Sequence, residues 1–144
     1  MIVAALASAL HVLSIVLAFM SVHLRASALK TGEWPRAFRM DALWGLSAIL
    51  LLGTGLWRAF GGLEKGSDYY LHNAAFHTKL TLFVLVVLIE VYPMILLIRC
   101  RRNEALRTPA NARKVMIFSH VESLLLVLLV LAATLMAHGI GYFS

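Results

Sequence analysis

Residues 115–140, VMIFSHVESLLLVLLVLAATLMAHGI, decide the fold of this chain. A helix needs about 20 predominantly apolar residues to cross a bilayer, and this stretch exceeds that length. Three further apolar runs, at residues 2–24, 42–60 and 73–98, are of comparable length. The runs lack the strict alternation of apolar and polar residues that is typical of membrane β-barrels. The sequence therefore predicts an all-α integral membrane protein with transmembrane helices at about 2–24, 40–60, 73–98 and 114–140.

Length and composition support one membrane domain that covers residues 1–144. The chain is too short for two ordinary domains. Charged residues make up 14% of it, against about 25% in soluble domains, and its mean hydropathy is +0.85. Because the connections between successive runs are short, we expect an up-down four-helix bundle.

The net charge of +6 is concentrated in two of the three predicted loops. The first and third loops contain these basic residues: Arg25, Lys30, Arg36, Arg39, Arg99, Arg101, Arg102, Arg107, Arg113 and Lys114. The second loop contains Glu64, Lys65 and Asp68, so its positive and negative charges nearly balance. The positive-inside rule then predicts cytoplasmic first and third loops and both termini outside. The expected partners are anionic lipid headgroups and, through Gly53 and Gly55, a second copy or a larger membrane complex, and not nucleic acid.

Ionisable residues interrupt the apolar runs, and such residues are costly in lipid unless they are paired or used. At a rise of about 1.5 Å per residue they fall into two layers. The outer layer comprises His11, Arg58, His77 and Lys79, with Lys65, His72 and His138 nearer the surface. The inner layer comprises His23, Asp41, Glu90, His120 and Glu122. We expect Asp41 to cap the second helix. If Glu90 and Glu122 face each other, one must be protonated or a cation must bridge them.

Three chemistries suit these residues, and the sequence leaves them open. Histidines on different helices can ligate haem iron; the outer candidates are His11, His77 and His138. A metal site without porphyrin has no supporting pattern beyond His11 itself. A proton path through Glu90, Glu122 and His120 is the third possibility. The same groups can instead be paired in a bundle without catalytic activity.

Longer motifs resemble a known family along nearly the whole chain. They comprise DALWG at 41–45, GLWR at 55–58, EKG at 64–66, YYLHN at 69–73, and the ends LHVL at 10–13 and LMAHGIG at 135–141. The chain is identified from them as a member of the bacterial membrane family called domain of unknown function 2214. The resemblance implies a multi-pass protein of a bacterial inner (plasma) membrane.

A more distant resemblance is to the HemJ-type protoporphyrinogen oxidases. It is carried by Ala9-Leu10-His11 and His77-Thr78-Lys79-Leu80. The resemblance implies haem b binding at His11 and oxidase activity that involves Lys79. We expect Lys79 and Arg58 to complete a polar pocket that could hold propionates or a tetrapyrrole. Two function classes follow: a membrane oxidoreductase that binds haem b or another tetrapyrrole, and a non-enzymatic assembly subunit or small permease whose buried charges are paired.

Overall fold

The computed structural model describes residues 2–61 and 71–138, without the side chains of Ala75 and Met136. This part forms four long helices: α1 (Ile2–Lys30), α2 (Trp34–Phe60), α3 (Ala74–Arg102) and α4 (Pro109–Ala137). A short 3-10 turn, Glu104–Leu106, links α3 to α4. Each of these helices is long and apolar enough to cross a membrane. The predicted fold class is therefore confirmed.

The helices pack unequally around the bundle. The main interfaces are α1 with α2, α3 with α4, and α1 with α4, whereas α2 and α3 hardly touch. We call the end that carries the α1–α2 turn and the α3–α4 connection the basic end, because the basic residues named above lie there. Large apolar side chains such as Ile49, Leu88 and Leu124 are exposed on the outside of the bundle, as expected for surfaces that contact lipid.

The first predicted loop is in fact a tight turn between two helix ends. Gly32, at φ +76°, stops α1 in a Schellman motif: the Glu33 N–H donates to Ala28 O (2.8 Å) and the Gly32 N–H to Leu29 O (3.2 Å). Pro35 lies in the first turn of α2, where its missing N–H costs nothing. Arg25 is therefore not a loop residue, because α1 continues past it to Lys30.

The second helix also begins earlier than predicted, at Trp34 rather than near residue 40. Asp41 lies seven residues inside α2, and the expectation that it caps this helix is wrong. Glu33 occupies the capping position without a side-chain hydrogen bond. The apolar pattern does not reveal the start of α2, because Arg36 and Arg39 interrupt the apolar residues between Pro35 and Met40.

The remaining helix ends follow local capping chemistry. The Asn73 side chain accepts from the Phe76 N–H (3.2 Å) at the start of α3, and Thr108 Oγ1 accepts from the Asn111 N–H (3.2 Å) at the start of α4. The third helix runs on to Arg102, four residues beyond its apolar run, so that Cys100 is buried in a helix and not placed in a loop. The predicted end of the fourth helix at residue 140 lies outside the described residues, as do Glu64, Lys65 and Asp68.

Small residues lie where the helices of the bundle approach closely. Ala18, Ala28 and Ala37 are buried at the helix interfaces. Of Gly53 and Gly55, only Gly55 faces a neighbour: a Cβ added there would lie 3.2 Å from His11 Cε1, whereas one added to Gly53 would meet nothing within 4 Å. The predicted contact role of Gly53 is therefore not realised within the described chain.

Candidate functional site

A single buried arginine joins all four helices. Arg25, on α1, has no solvent exposure. Its Nη1 donates to Asp41 Oδ1 of α2 (2.8 Å) and to Glu90 Oε1 of α3 (2.5 Å). Its Nη2 donates to Glu90 Oε2 (3.0 Å) and to Glu122 Oε2 of α4 (2.7 Å). We call Arg25, Asp41, Glu90, Glu122 and Ser119 the Arg25 cluster.

Every donor of the guanidinium is used. The fifth bond runs from Arg25 Nε to Ser119 Oγ (3.1 Å). The Ser119 hydroxyl in turn donates a hydrogen bond to Val115 O (2.9 Å). Five bonds match the five N–H groups that arginine carries. Lysine, with three donors on one nitrogen, cannot reproduce this fork.

The three carboxyl groups form a row along the guanidinium. Nη1 is shared by Asp41 and Glu90, and Nη2 by Glu90 and Glu122, so Glu90 lies in the middle. The side chains become less exposed along the row, from 16% for Asp41 to 5% for Glu90 and 0% for Glu122. Asp41 is thus the member nearest solvent, about 10 Å along α2 from its start at the basic end.

The cluster contains more acid than base. Three carboxylates would carry three negative charges, and Arg25 supplies one positive charge. In the described part of the chain Arg25 is the cation that contacts all three. The other Glu122 oxygen, Oε1, is buried and has no hydrogen-bond partner there. Since an uncompensated charge is very costly in a low-dielectric interior, the cluster must take up protons or another cation.

The structure brings together part of the predicted inner layer. Glu90 and Glu122 meet, and the cation that bridges them is Arg25, which the charge pattern predicts to lie in a loop. His120 is exposed instead, and its Nδ1 bonds to Met116 O of its own helix (2.6 Å). His23 is also exposed. The histidine of the predicted proton path therefore lies apart from the carboxylates.

Arg25 and Ser119 were missed, although the sequence contains a signal for both. Ala26, Ala28 and Leu29 continue a helical pattern past Arg25 to the first glycine, Gly32. Arg25 lies 14 residues after His11, which is nearly four helical turns and so the same face. Ser119 lies three residues before Glu122, again on one face. Taking Gly32 rather than the first charge as the end of the helix would have placed Arg25 inside the bundle.

The predicted outer layer divides in a similar way. His11 and Lys79 line one groove between α2 and α3, together with Gly55, Phe76 and other apolar side chains. The Lys79 ammonium lies 5.7 Å from the centre of the Phe76 ring. Arg58 is half-buried one turn beyond Thr54 and lies outside that lining.

The other outer histidines are exposed and bond to backbone. His77 Nε2 contacts Leu71 O (2.8 Å), and His138 Nδ1 contacts Thr134 O (2.9 Å). Neither lines the groove that contains His11. The three histidines predicted as haem ligands are therefore not assembled around one space.

The hydrogen bonds of His11 assign its tautomer. Thr54 donates its single hydroxyl proton to Leu50 O (2.6 Å), so it must accept from His11 Nδ1, 2.9 Å away. Neutral His11 then carries its proton on Nδ1 and its lone pair on Nε2. That nitrogen can accept a proton or ligate a metal.

A haem does not fit the groove in this structure. The groove has a volume of about 60 Å³, enough for a few water molecules, whereas pockets for drug-sized ligands measure about 300–1,000 Å³. His11 is the one histidine in its lining. Within residues 2–61 and 71–138, no group of three histidine, cysteine or acidic side chains is arranged to hold a metal ion. Haem binding accordingly stays a prediction from the sequence.

Two contacts fix the register of α1 against α2. Arg25 meets Asp41 at one level and His11 meets Thr54 about 20 Å further along the pair. Between these levels the interface contains buried hydroxyl groups at Ser14, Ser21 and Ser47. Each donates to a carbonyl of its own helix, which leaves its oxygen as an acceptor. We call His11, Ser14, Ser21, Ser47 and Thr54, the buried or half-buried polar residues of α1 and α2 from Ser21 to His11, the polar seam.

Comparison with known proteins gives the family and no more. No curated protein and no solved structure matches the chain significantly. One family model does match, over residues 3–141, which include all four helices, the Arg25 cluster and the polar seam. The distant resemblance to HemJ-type oxidases stays a prediction. Since the match spans nearly the whole chain, the protein belongs to the family described as predicted membrane protein DUF2214.

Proposed function

We propose that this membrane protein transfers protons, with the Arg25 cluster as its proton-binding station. The observation that carries the proposal is the charge excess of the cluster: three carboxyl groups on one guanidinium, with Glu122 Oε1 buried and unpartnered. Ionisable groups inside membrane proteins pair with one another and mark ion paths and proton relays.

The geometry suggests an order of transfer. Asp41 exchanges protons with solvent at the basic end because it is the most exposed of the three carboxyl groups. Glu90 shares one guanidinium nitrogen with Asp41 and the other with Glu122, which brings the three carboxyl groups side by side. The proton then passes from a protonated carboxyl group to the neighbouring carboxylate, from Asp41 to Glu90 and from Glu90 to Glu122, and not through the guanidinium. Arg25 holds the carboxyl groups in line and keeps its own charge throughout.

The polar seam supplies the second half of the path. Ser21 lies about 6 Å from Arg25 along α1, and Ser14 lies about 4.5 Å from His11. The gap between the two serines is about 10 Å, which is longer than a hydrogen bond, so the relay requires bound water there. His11 is the titratable group at the far end of this path.

The positive-inside rule sets the direction of this path. If the basic end faces the cytoplasm, as the loop charges predict, Asp41 takes protons from that side and His11 lies in the outer half of the membrane. Small permeases with paired buried charges, one of the predicted classes, use stations of this kind.

Flux through liposomes tests the proposal. Purified protein is reconstituted into vesicles that contain a trapped pH-sensitive dye, and a potassium diffusion potential drives proton entry. We expect wild-type vesicles to acidify about tenfold faster than Glu122→Gln vesicles. Glu104→Gln is the matched control, because it removes an exposed carboxylate at the basic end and should leave the flux unchanged. Wild-type flux no greater than that of protein-free vesicles would refute proton transfer.

The competing class, a purely structural role, predicts a different result. If the cluster only holds the helices together, Glu122→Gln keeps the fold, because the amide oxygen still accepts from Arg25 Nη2. The proton flux of this variant then equals that of the wild type. Circular dichroism and size-exclusion profiles of both variants must match the wild type, so that loss of flux is not loss of fold.

A further inference from the structure

A cleft between α3 and α4 at the basic end has two cations without acidic partners. Arg99 and Lys114 line it, with Tyr92, Ile95, Leu96, Leu106 and Asn111, and its volume is about 260 Å³. Among the described residues neither cation forms an ion pair, whereas Arg36 and Arg107 nearby pair with Glu33 and Glu104. The cleft is separate from the Arg25 cluster and from the His11 groove.

Both cations lie at the level of the lipid headgroups. Arg99 is three residues before the end of α3, and Lys114 is five residues after the start of α4. At about 1.5 Å per residue they are about 5–8 Å from the helix ends. Arginine and lysine at that depth reach the phosphate region of a bilayer.

Below the cations the cleft wall becomes apolar. Tyr92, Ile95 and Arg99 lie on one face of α3, and Phe118 is one turn beyond Lys114 on α4. The rings of Tyr92 and Phe118 stack with centroids 4.8 Å apart. This stack joins α3 to α4 at the deep end of the cleft. Tyr92 lies about 10 Å deeper than Arg99, within the hydrocarbon region.

The rim of the cleft is held in shape by polar contacts. Asn111 Nδ2 donates to Leu106 O (2.8 Å), and Arg107 Nε donates to Cys100 O (3.0 Å). These bonds tie the α3–α4 connection to both helices. The cations therefore border a preformed cleft and not a mobile loop.

We infer that this cleft binds an anionic phospholipid, with the phosphate between Arg99 and Lys114 and an acyl chain along Tyr92, Ile95 and Leu96. The charge of the rim is complementary to a phosphodiester, and the apolar wall continues in the direction that the acyl chains take. The inference is independent of proton transfer, because it uses none of the same residues.

Native mass spectrometry of the detergent-solubilised protein tests it. Phosphatidylglycerol and phosphatidylcholine with identical acyl chains are titrated, and the dissociation constant of the first bound lipid is measured. We expect phosphatidylglycerol to bind about tenfold more tightly, and the double variant Arg99→Gln/Lys114→Gln to abolish that preference.

The matched control separates a site from general electrostatics. Arg102→Gln/Arg113→Gln removes the same charge from neighbouring positions that do not line the cleft, and it should leave the preference within about twofold of wild type. Equal losses in the two double variants would overturn the inference, as would equal affinities for the two lipids. Full competition by inorganic phosphate at the lipid concentration would show a phosphate site without a lipid component and would also overturn it.

Discussion

Arg25 Nη2 lies 2.7 Å from Glu122 Oε2 and joins the first helix to the last across 97 positions of sequence. Both side chains are fully buried. Ion pairs of this kind rarely add net stability over an apolar core, but removing one partner leaves a buried charge alone. The relationship thus makes the fold dependent on Arg25 and the protonation of the cluster dependent on Glu122.

The first prediction concerns the arginine. Arg25→Met removes five hydrogen bonds and leaves three carboxyl groups without a cation, so we expect the free energy of unfolding in mixed micelles to fall by about 3–5 kcal/mol. Arg36→Met is the control, because its pair with Glu33 is exposed and 3.6 Å long; it should cost at most about 1 kcal/mol. Equal losses in the two variants would show that the cluster does not hold the bundle together.

The second prediction concerns the partner of Arg25 Nε. Ser119→Ala leaves this buried donor unsatisfied, and we expect a loss of about 1–3 kcal/mol in the same unfolding measurement. Ser123→Ala, one turn later on α4, removes a hydroxyl that donates to Ser119 O of its own helix and should change stability by less than about 1 kcal/mol. If Ser123→Ala proved the more damaging, the assignment of Ser119 to the cluster would be wrong.

The tautomer of His11 gives the third prediction. Thr54→Val removes the acceptor of the Nδ1 proton, so the ¹⁵N spectrum of histidine-labelled protein should lose the Nδ1–H signature of His11 and gain that of Nε2–H. Thr134→Val is the control, because that hydroxyl bonds only to Val130 O. An unchanged His11 signature in Thr54→Val would contradict the hydrogen-bond direction given above.

The absorption spectrum tests the cofactor predicted by the resemblance to HemJ-type oxidases. The groove at His11 is far smaller than a porphyrin, so protein purified after expression with ample haem should show no Soret band. A Soret band that disappears in His11→Ala would contradict this expectation and would restore the oxidoreductase class. The variant His138→Ala serves as the control, since His138 lies outside the groove.

The sequence predicts the features that depend on residues close together in the chain, and it fails for those that depend on packing between helices. The four helices follow from apolar length, and the equal depth of Glu90 and Glu122 permits the two carboxylates to meet without requiring it. Arg25 was misplaced because a charge after an apolar run normally marks the membrane surface, whereas here its partners on three other helices offset the cost of burial. Which face His120 presents is likewise a packing result, and depth alone could not distinguish the buried Glu122 from the exposed His120 two residues earlier.

Infrared spectroscopy of the reconstituted protein tests the central claim, the excess of acid at Arg25, most directly. The carbonyl stretch of a protonated carboxyl group is separate from that of a carboxylate, and its shift in D₂O shows exchange. We expect wild-type protein at neutral pH to show this exchangeable band, and Glu122→Gln to weaken it, while Glu104→Gln leaves it intact. Absence of the band from the wild type, or an undiminished band in Glu122→Gln, would contradict the account.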